Sequence, residues 1–257
     1  MTIELLLLCL VSFFAGFIDS IVGGGGLLQT PAMLIILPQY PIATLFGTTK
    51  IPSVMGTAFA AHKYSKTVQV NWKVLSVILP VAFVGAILGA FAITVIDSSQ
   101  IKPVIFVLLL AVAIYTYTSQ GFGSRSERSL TVIKQLIYSA LAGFAIGFYD
   151  GLIGPGTGTF LILAFIAILG NDFLHASAHA KYVNVATNLA AIIYFAGTNN
   201  ILYQYAIPMA VFNISGSFLG TKLALLKGNR FIRVFFLLVI FGTLLRFAYD
   251  VFLKDKL

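Results

Sequence analysis

Four charged side chains lie inside long apolar runs of the sequence: Asp19, Lys50, Asp150 and Lys181. A charge within a bilayer is costly, and such residues usually pair with one another or mark the path of a substrate or ion. We expect each lysine to meet a bound anion or an aspartate, although Lys50 is close enough to its predicted helix start to snorkel to the interface instead. The aspartates could be proton relays, ion-pair partners for Lys181 and Lys50, or caps for backbone N–H groups.

A glycine-rich break begins four residues after each aspartate. The candidate binding residues in the two breaks are Gly23, Gly24, Gly25 and Gly26, and Gly154, Gly156, Thr157 and Gly158. Glycine lets the backbone approach a ligand closely, and a helix that restarts after a break presents free N–H groups and the positive end of its dipole. Glycine also serves simple helix packing, but two such breaks, each before an undersized segment, favour a binding site for a small anion.

Polar residues follow each of the two lysines at helical spacing. They form two stripes, Lys50, Ser53 and Thr57, and Lys181, Asn184 and Asn188. Positions i, i+3 and i+7 share one face of a helix, so each stripe is predicted to line that face. We predict that the two stripes face each other, and that Lys50 and Lys181 hold the anion together with the backbone N–H groups of the breaks.

The remaining reactive residues do not indicate catalysis. His175 and His179 have the i, i+4 spacing of a metal pair, but no third ligand lies nearby, and His179 could instead line the pathway beside Lys181. Cys9 is the single cysteine, and no nucleotide-binding, nucleophile or zinc-protease motif is present. The sequence therefore predicts a protein that is not an enzyme, with no metal and no cofactor.

The composition excludes a water-soluble globule. Of the 257 residues, 59% are hydrophobic and 9% are charged, whereas soluble domains carry about 25% charged residues. Long apolar runs predict an all-α, polytopic helical bundle, since a transmembrane barrel needs alternating segments of about ten residues. The net charge of +8 is interpreted as a topology signal and not as a nucleic-acid site.

The apolar runs predict eight to ten membrane segments. Their approximate bounds are 4–22, 27–38, 44–62, 74–96, 102–118, 133–153, 157–170, 177–197, 204–225 and 231–252. Two of them, 27–38 and 157–170, reach only about 18 and 21 Å, short of a hydrocarbon core of about 30 Å. The sequence leaves open whether these two cross the membrane or re-enter.

The two halves of the chain repeat each other at one fixed shift, here called the repeat offset. The repeat offset places Gly16 on Gly147, Asp19 on Asp150 and Lys50 on Lys181, and it aligns the two glycine breaks. We predict a first transmembrane repeat over 1–118, a basic cytoplasmic linker over 119–132 and a second repeat over 133–257.

The basic residues predict opposite orientations for the two repeats, because short cytoplasmic loops collect Lys and Arg. Three loops are basic, carrying Lys63, Lys66 and Lys73, then Arg125, Arg128 and Lys134, and finally Lys222, Lys227, Arg230 and Arg233. The counterpart of the first loop, 194–204, has no charge, and that of the third, 90–102, has only Asp97 and Lys102. Each repeat is thus predicted to cross an odd number of times, most simply five with the short segments, with both termini outside.

Two motifs carry a family resemblance. GFIDSIVGGGG over 16–26 and GFYDGLIGPGTG over 147–158 resemble the paired motifs of the sulfite exporter TauE/SafE family, also called the toluene sulfonate uptake permease family. The resemblance covers essentially the whole chain. It implies a multi-pass transporter of sulfur oxyanions and sulfonates in the cytoplasmic membrane of a bacterium or archaeon, with export in some members and import in others.

These observations predict a secondary transporter that works by alternating access on a small anion, with sulfite, sulfonates or related sulfur oxyanions implied by the resemblance. Two other functions stay open, a passive anion channel and a non-transport membrane subunit of a larger complex. The expected partners are the anionic substrate and the lipid bilayer, with no nucleic acid and with a homodimer left open.

Overall fold

The computed structural model describes residues 2–95 and 131–252, and for Ile240 and 243–252 it describes the backbone alone. The predicted segment 102–118, most of the predicted linker 119–132, and the charges of Asp97 and Lys102 lie outside these residues. Within the described ranges the chain is helical and contains no strand. The all-helical prediction is confirmed there.

Eight helices account for the described residues. They are α1 (Ile3–Val22), α2 (Gly26–Ile36), α3 (Ile42–Ser65), α4 (Trp72–Ile93), α5 (Val132–Leu152), α6 (Thr157–Leu169), α7 (Phe173–Gly197) and α8 (Tyr203–Phe252). Helix α8 is interrupted at Gly228, whose φ of 65° and ψ of −160° are not helical. The predicted segments 204–225 and 231–252 lie on either side of this interruption.

The described helices differ in whether they are long and apolar enough to cross a bilayer. Four contain stretches that are long and apolar enough by length and composition: α1, α4, α5 and the Tyr203–Val239 part of α8. Helices α3 and α7 have 24 and 25 residues but carry more polar side chains. Helices α2 and α6 have only 11 and 13 residues, too few to span about 30 Å of hydrocarbon.

The short helix α2 turns back along α1. The chain leaves α1 at Gly23, where φ is 76° and the N–H donates to the Asp19 carbonyl oxygen at 2.8 Å. The end of α2 then packs against the beginning of α1, because Leu37 lies in the same apolar cluster as Leu8. We therefore describe α1 and α2 as a helical hairpin whose tip is the first glycine break.

The second break joins α5 and α6 in the same manner. Gly154 and Gly156 have φ values of 87° and 84°, which only glycine adopts readily. The Tyr149 hydroxyl donates to the Pro155 carbonyl oxygen at 2.6 Å, and the Tyr149 and Phe160 ring centroids are 5.2 Å apart. This close ring contact requires the chain to reverse, so α5 and α6 form a second hairpin.

Glycines let the long helices pack in two reciprocal pairs, α1 on α8 and α4 on α5. A Cβ added to Gly16 would lie 2.2 Å from the Asn213 carbonyl oxygen, and one added to Gly147 would lie 2.3 Å from that of Ala82. The repeat offset converts one contact into the other. The small-xxx-small pairs Gly85 with Gly89 and Gly216 with Gly220 occupy the same two interfaces, as expected for close helix packing.

The tips of the two hairpins touch near the centre of the bundle. A Cβ added to Gly158 would lie 2.4 Å from the Gly23 Cα, and the Thr159 hydroxyl donates to the Val22 carbonyl oxygen at 3.0 Å. Helices α3 and α7 pass beside this contact. The two breaks, far apart in sequence, are therefore assembled into one place.

Candidate functional site

A cavity lies where the two hairpin tips meet α3 and α7. Its volume is about 30 Å³, and one water needs about 10–15 Å³, so it has room for two or three waters or one small ion. Its lining comes from six helices and both breaks. The residues are Asp19, Gly23, Gly26, Thr30, Thr49, Lys50, Ser53, Asp150, Ile153, Gly154, Gly158, Asn184 and Asn188.

Lys50 and Asp150 form a buried ion pair at the edge of this cavity. The Lys50 Nζ lies 2.9 Å from Asp150 Oδ1, and the two side chains are 5% and 3% exposed. The ammonium group also donates to the Asp150 carbonyl oxygen at 2.5 Å. Lys50 therefore joins α3 to the end of α5, and it does not reach the interface by snorkelling.

Lys181 and Asp19 form the equivalent pair in the other half, with looser side-chain geometry. The Lys181 Nζ lies 3.9 Å from Asp19 Oδ2, and the side chains are 1% and 15% exposed. Lys181 also donates to the Asp19 carbonyl oxygen. The Asp19 Oδ2 instead accepts a hydrogen bond from the Thr57 hydroxyl at 2.8 Å.

Asp150 uses only one of its carboxylate oxygens. Its Oδ1 accepts from Lys50 and faces the Thr157 hydroxyl at 3.0 Å. Its Oδ2 is buried and has no hydrogen-bond partner among the described residues. A buried carboxylate oxygen without a donor is costly, so this oxygen is suited to accept a hydrogen bond from a group that enters the cavity.

Each hairpin tip contributes to the cavity lining a glycine from the first turn of a short helix. The N–H groups of Gly26 and Gly158 donate to no acceptor in the described part of the chain, and neither α2 nor α6 has a side-chain cap at its start. Free N–H groups at the first turn of a helix attract anions, aided by the helix dipole. The predicted role of Asp19 and Asp150 as helix caps is not seen.

The structure brings together ten of the sixteen residues that the sequence singled out. Asp19, Gly23, Gly26, Lys50, Ser53, Asp150, Gly154, Gly158, Asn184 and Asn188 border the cavity. The other six do not border it: Gly24, Gly25, Thr57, Gly156, Thr157 and Lys181. Two of these, Thr57 and Lys181, form hydrogen bonds to Asp19, which does border the cavity. The Thr157 hydroxyl forms a hydrogen bond to Asp150 in the same way.

Three lining residues were missed by the sequence: Thr30, Thr49 and Ile153. Thr30 lies one turn beyond Gly26, so continuing the helical spacing from the break would have found it. Thr49 lies about 100° around α3 from Lys50, outside the single face that the polar stripe defined. Nothing in the sequence indicated Ile153, because an apolar residue within an apolar run does not differ from its neighbours.

His179 does not border the cavity at the hairpin tips. Its Nε2 accepts from the Asn71 backbone N–H at 2.8 Å, and its Nδ1 lies 2.7 Å from the His175 carbonyl oxygen. Both ring nitrogens are therefore engaged by backbone groups, which fix the loop before α4 to α7. No group of three His, Cys, Asp or Glu side chains suited to a metal occurs in the described ranges.

Comparison with known proteins identifies the family of this chain. The family model described as Sulfite exporter TauE/SafE matches residues 8–247, which is nearly the whole chain. The chain belongs to the TauE/SafE family. The family predicted from the sequence is thereby confirmed.

Relatives cover the chain from end to end. A Sinorhizobium protein named "Probable membrane transporter protein ORF9" is 33% identical over 95% of this chain and 92% of its own length. A Haemophilus influenzae "Probable membrane transporter protein" is 33% identical over 96% and 95%. Escherichia coli K12 "Probable membrane transporter protein YfcA" is 29% identical over 93% and 88%. No solved structure matches.

This TauE/SafE member is a membrane transporter and not an enzyme. Its apolar helices are those of a multi-pass membrane protein. The identity of its substrate is a separate question, which the chemistry of the cavity addresses.

Proposed function

We propose that this protein is a secondary transporter of small anions, in particular sulfite, sulfonates or related sulfur oxyanions, and that the anion occupies the cavity between the hairpin tips. The observation that carries the proposal is the pair of unbonded N–H groups, Gly26 and Gly158, at one polar cavity. Oxyanions accept hydrogen bonds from such groups, and the dipoles of α2 and α6 add a favourable potential.

The charges around the cavity support binding coupled to protonation. Lys50 and Lys181 are balanced by Asp150 and Asp19, so the empty site is neutral and an anion entering alone would add an uncompensated charge. A proton on Asp150 Oδ2 would neutralise that carboxylate and leave the Lys50 charge for the anion. The protonated oxygen could itself donate to the anion. We propose that Asp150 couples anion movement to protons in this way.

The arrangement of the helices supports two repeats of opposite orientation, 1–118 and 133–257. The α1–α8 and α4–α5 contacts exchange under the repeat offset. Lys63 near the end of α3 and Lys222 in α8, which the sequence placed in non-equivalent basic loops of the two repeats, border one cavity and so share one side of the bundle. Positive loops favour the cytoplasm, which puts both termini outside a prokaryotic cytoplasmic membrane.

The two hairpins act as re-entrant segments in this proposal. Each returns to the side from which it started, so it adds no net crossing and each repeat still crosses an odd number of times. Alternating access would then separate the Gly23–Gly158 contact on one side of the cavity at a time, as one repeat rocks against the other.

Uptake of labelled sulfite into proteoliposomes tests the proposal. We expect saturable uptake and counterflow that Lys50→Gln abolishes, because this change removes the cation at the cavity edge. The control is Lys66→Gln, which removes an exposed lysine just after the same helix and leaves transport unchanged.

Three results would contradict the proposal. They are wild-type transport by Lys50→Gln, an equal loss in Lys66→Gln, and the absence of any saturable sulfur-oxyanion or sulfonate flux. Flux that rises linearly with anion concentration, without counterflow, would indicate a channel. A purified protein that transports only with added subunits would indicate a component of a larger complex.

A further inference from the structure

A second cavity, here called the lysine groove, lies between the end of α3 and the middle of α8. Its volume is about 290 Å³, and Phe59, Lys63, Thr221, Lys222, Leu225 and Leu226 are among the residues that line it. None of these residues borders the cavity at the hairpin tips. The lysine groove is therefore a separate site.

The groove combines an apolar wall with two cations, Lys63 and Lys222. Leu226 is 74% exposed and Phe218, which also lines the groove, is 46% exposed, so the wall opens outward from the bundle. The Lys63 Nζ lies 5.6 Å above the centroid of the Phe59 ring, which holds that ammonium group over the groove. A ligand that fits would have an anionic head and an apolar tail.

Thr221 gives the groove a polar group without a partner. The residue is 1% exposed, and its hydroxyl forms no hydrogen bond among the described residues. A buried hydroxyl is normally hydrogen-bonded. Thr221 lines the groove, so a bound anionic head is the acceptor that this site offers to its hydroxyl.

The groove is a departure from the internal repeat. The repeat offset converts Lys63 into Tyr194, Lys222 into Phe91 and Leu225 into Thr94. These equivalents close the corresponding space, because the Tyr194 and Thr94 hydroxyl oxygens are 3.0 Å apart and the Tyr194 and Phe91 rings are in edge contact at 6.3 Å. The fold alone does not require an open groove with two lysines.

We propose that the lysine groove binds an anionic phospholipid. The phosphate lies between Lys63 and Lys222 and accepts a hydrogen bond from Thr221, and an acyl chain lies along Phe218, Leu225 and Leu226. Basic pockets between membrane helices are suited to such headgroups. A small free anion would leave the apolar wall uncovered, so the lipid fits the whole groove better.

Native mass spectrometry of the purified protein tests this site. We expect phosphatidylglycerol to remain bound in preference to phosphatidylcholine, and Lys63→Ala with Lys222→Ala to weaken phosphatidylglycerol binding roughly 30-fold, since two cations near an anionic headgroup are removed. The matched control is Lys66→Ala with Lys73→Ala. It removes Lys66, just after α3, and Lys73, at the start of α4, without altering the groove lining.

A second variant keeps the test independent of charge and folding. Leu226→Trp fills the exposed wall and should displace the lipid while sulfite uptake persists, because the groove is separate from the hairpin-tip cavity. Equal phosphatidylglycerol binding by wild type and the Lys63→Ala, Lys222→Ala protein would overturn the proposal, as would an equal loss in the control.

Soluble glycerol phosphate separates a lipid site from a free-anion site. We expect it to leave the thermal unfolding temperature unchanged, whereas phosphatidylglycerol raises it, because only a ligand of the folded state stabilises that state. Equal stabilisation by both would assign the groove to a small phosphate ester and overturn the lipid proposal. A second copy of the chain displacing the lipid, seen as a dimer without bound phospholipid, would overturn it as well.

Discussion

The two lysine–aspartate pairs occupy equivalent positions, yet their environments differ. In both, the lysine donates to the carbonyl oxygen of its aspartate. The Lys50–Asp150 side chains meet at 2.9 Å and are almost fully buried, whereas Lys181 and Asp19 are 3.9 Å apart and Asp19 is 15% exposed. The cavity is bordered by Lys50 but not by Lys181.

This difference separates the scaffold from the site. The backbone contacts that glycine allows are reciprocal in the two halves, so the helices follow the repeat closely. The side chains around the two carboxylates do not follow the repeat. A threonine hydroxyl donates to Asp19 Oδ2, whereas Asp150 Oδ2 has no partner among the described residues. A symmetric frame thus holds two unequal half-sites, which would give the proposed substrate and proton different partners.

The largest expected effect comes from removing the two lysines one at a time. Lys50→Met should lower the free energy of unfolding by about 3–5 kcal/mol, because it leaves Asp150 buried without its cation. Lys181→Met should cost about 1.5–3 kcal/mol, the value of a charge-assisted hydrogen bond, because Asp19 is less buried than Asp150 and keeps its hydrogen bond from Thr57. Thermal and denaturant unfolding in detergent would measure both. Equal losses would show that the two pairs are energetically alike.

Replacing each aspartate with asparagine compares the two lysine–aspartate pairs by their effect on transport. Asp150→Asn should abolish accumulation driven by a pH gradient while anion exchange persists, because its Oδ2 is the proposed proton site. Asp19→Asn should keep the gradient-driven accumulation within a few-fold of wild type. Proteoliposome assays with and without an imposed gradient distinguish the two. Proton-driven accumulation by Asp150→Asn would refute the coupling role.

The two glycine breaks should differ when alanine is introduced. Gly158→Ala places a Cβ 2.4 Å from the Gly23 Cα and should lower the free energy of unfolding by about 1–3 kcal/mol through overpacking. Gly26→Ala places its Cβ 3.1 Å from the Pro155 Cα, so a small shift accommodates it and the loss should be smaller. Unfolding curves of the two variants give the order, and the reverse order would contradict the hairpin-tip contact.

The smallest expected difference concerns the threonines that face the carboxylates. Thr57→Val removes the hydroxyl bound to Asp19 Oδ2 and should cost about 1 kcal/mol, partly offset by entering water. Thr157→Val should cost less, because Asp150 Oδ1 still accepts from Lys50. Differences in unfolding midpoint at constant denaturant slope would measure them.

Much of the architecture was predictable because its signals are local. Continuous apolar runs mark helices, and positive φ at Gly23 and Gly154 follows from the glycine runs that interrupt them. From the sequence alone, the repeat offset also showed that Lys50 is equivalent to Lys181 and that Asp19 is equivalent to Asp150. Whether α2 returns along α1 was not predictable, since hydropathy reports burial in lipid but not chain direction.

The site itself was predictable only in outline. Thr49 was missed because helical spacing defines one face, whereas a cavity between six helices reaches around that face. The contact of His179 was not predictable because its backbone partner, Asn71, lies far away in sequence. The lysine groove had no sequence signature, since Lys63 and Lys222 looked like two ordinary topology markers.

By itself, the sequence determined that this chain is a helical membrane protein with two aligned glycine breaks and four charges that membrane insertion alone would not select. Those properties depend on composition and on spacing along one chain. Only the tertiary structure decided which charges meet, which oxygen of Asp150 lacks a partner and which lysine borders the cavity. These depend on distances between helices, which are fixed by how closely the glycine-lined backbones pack.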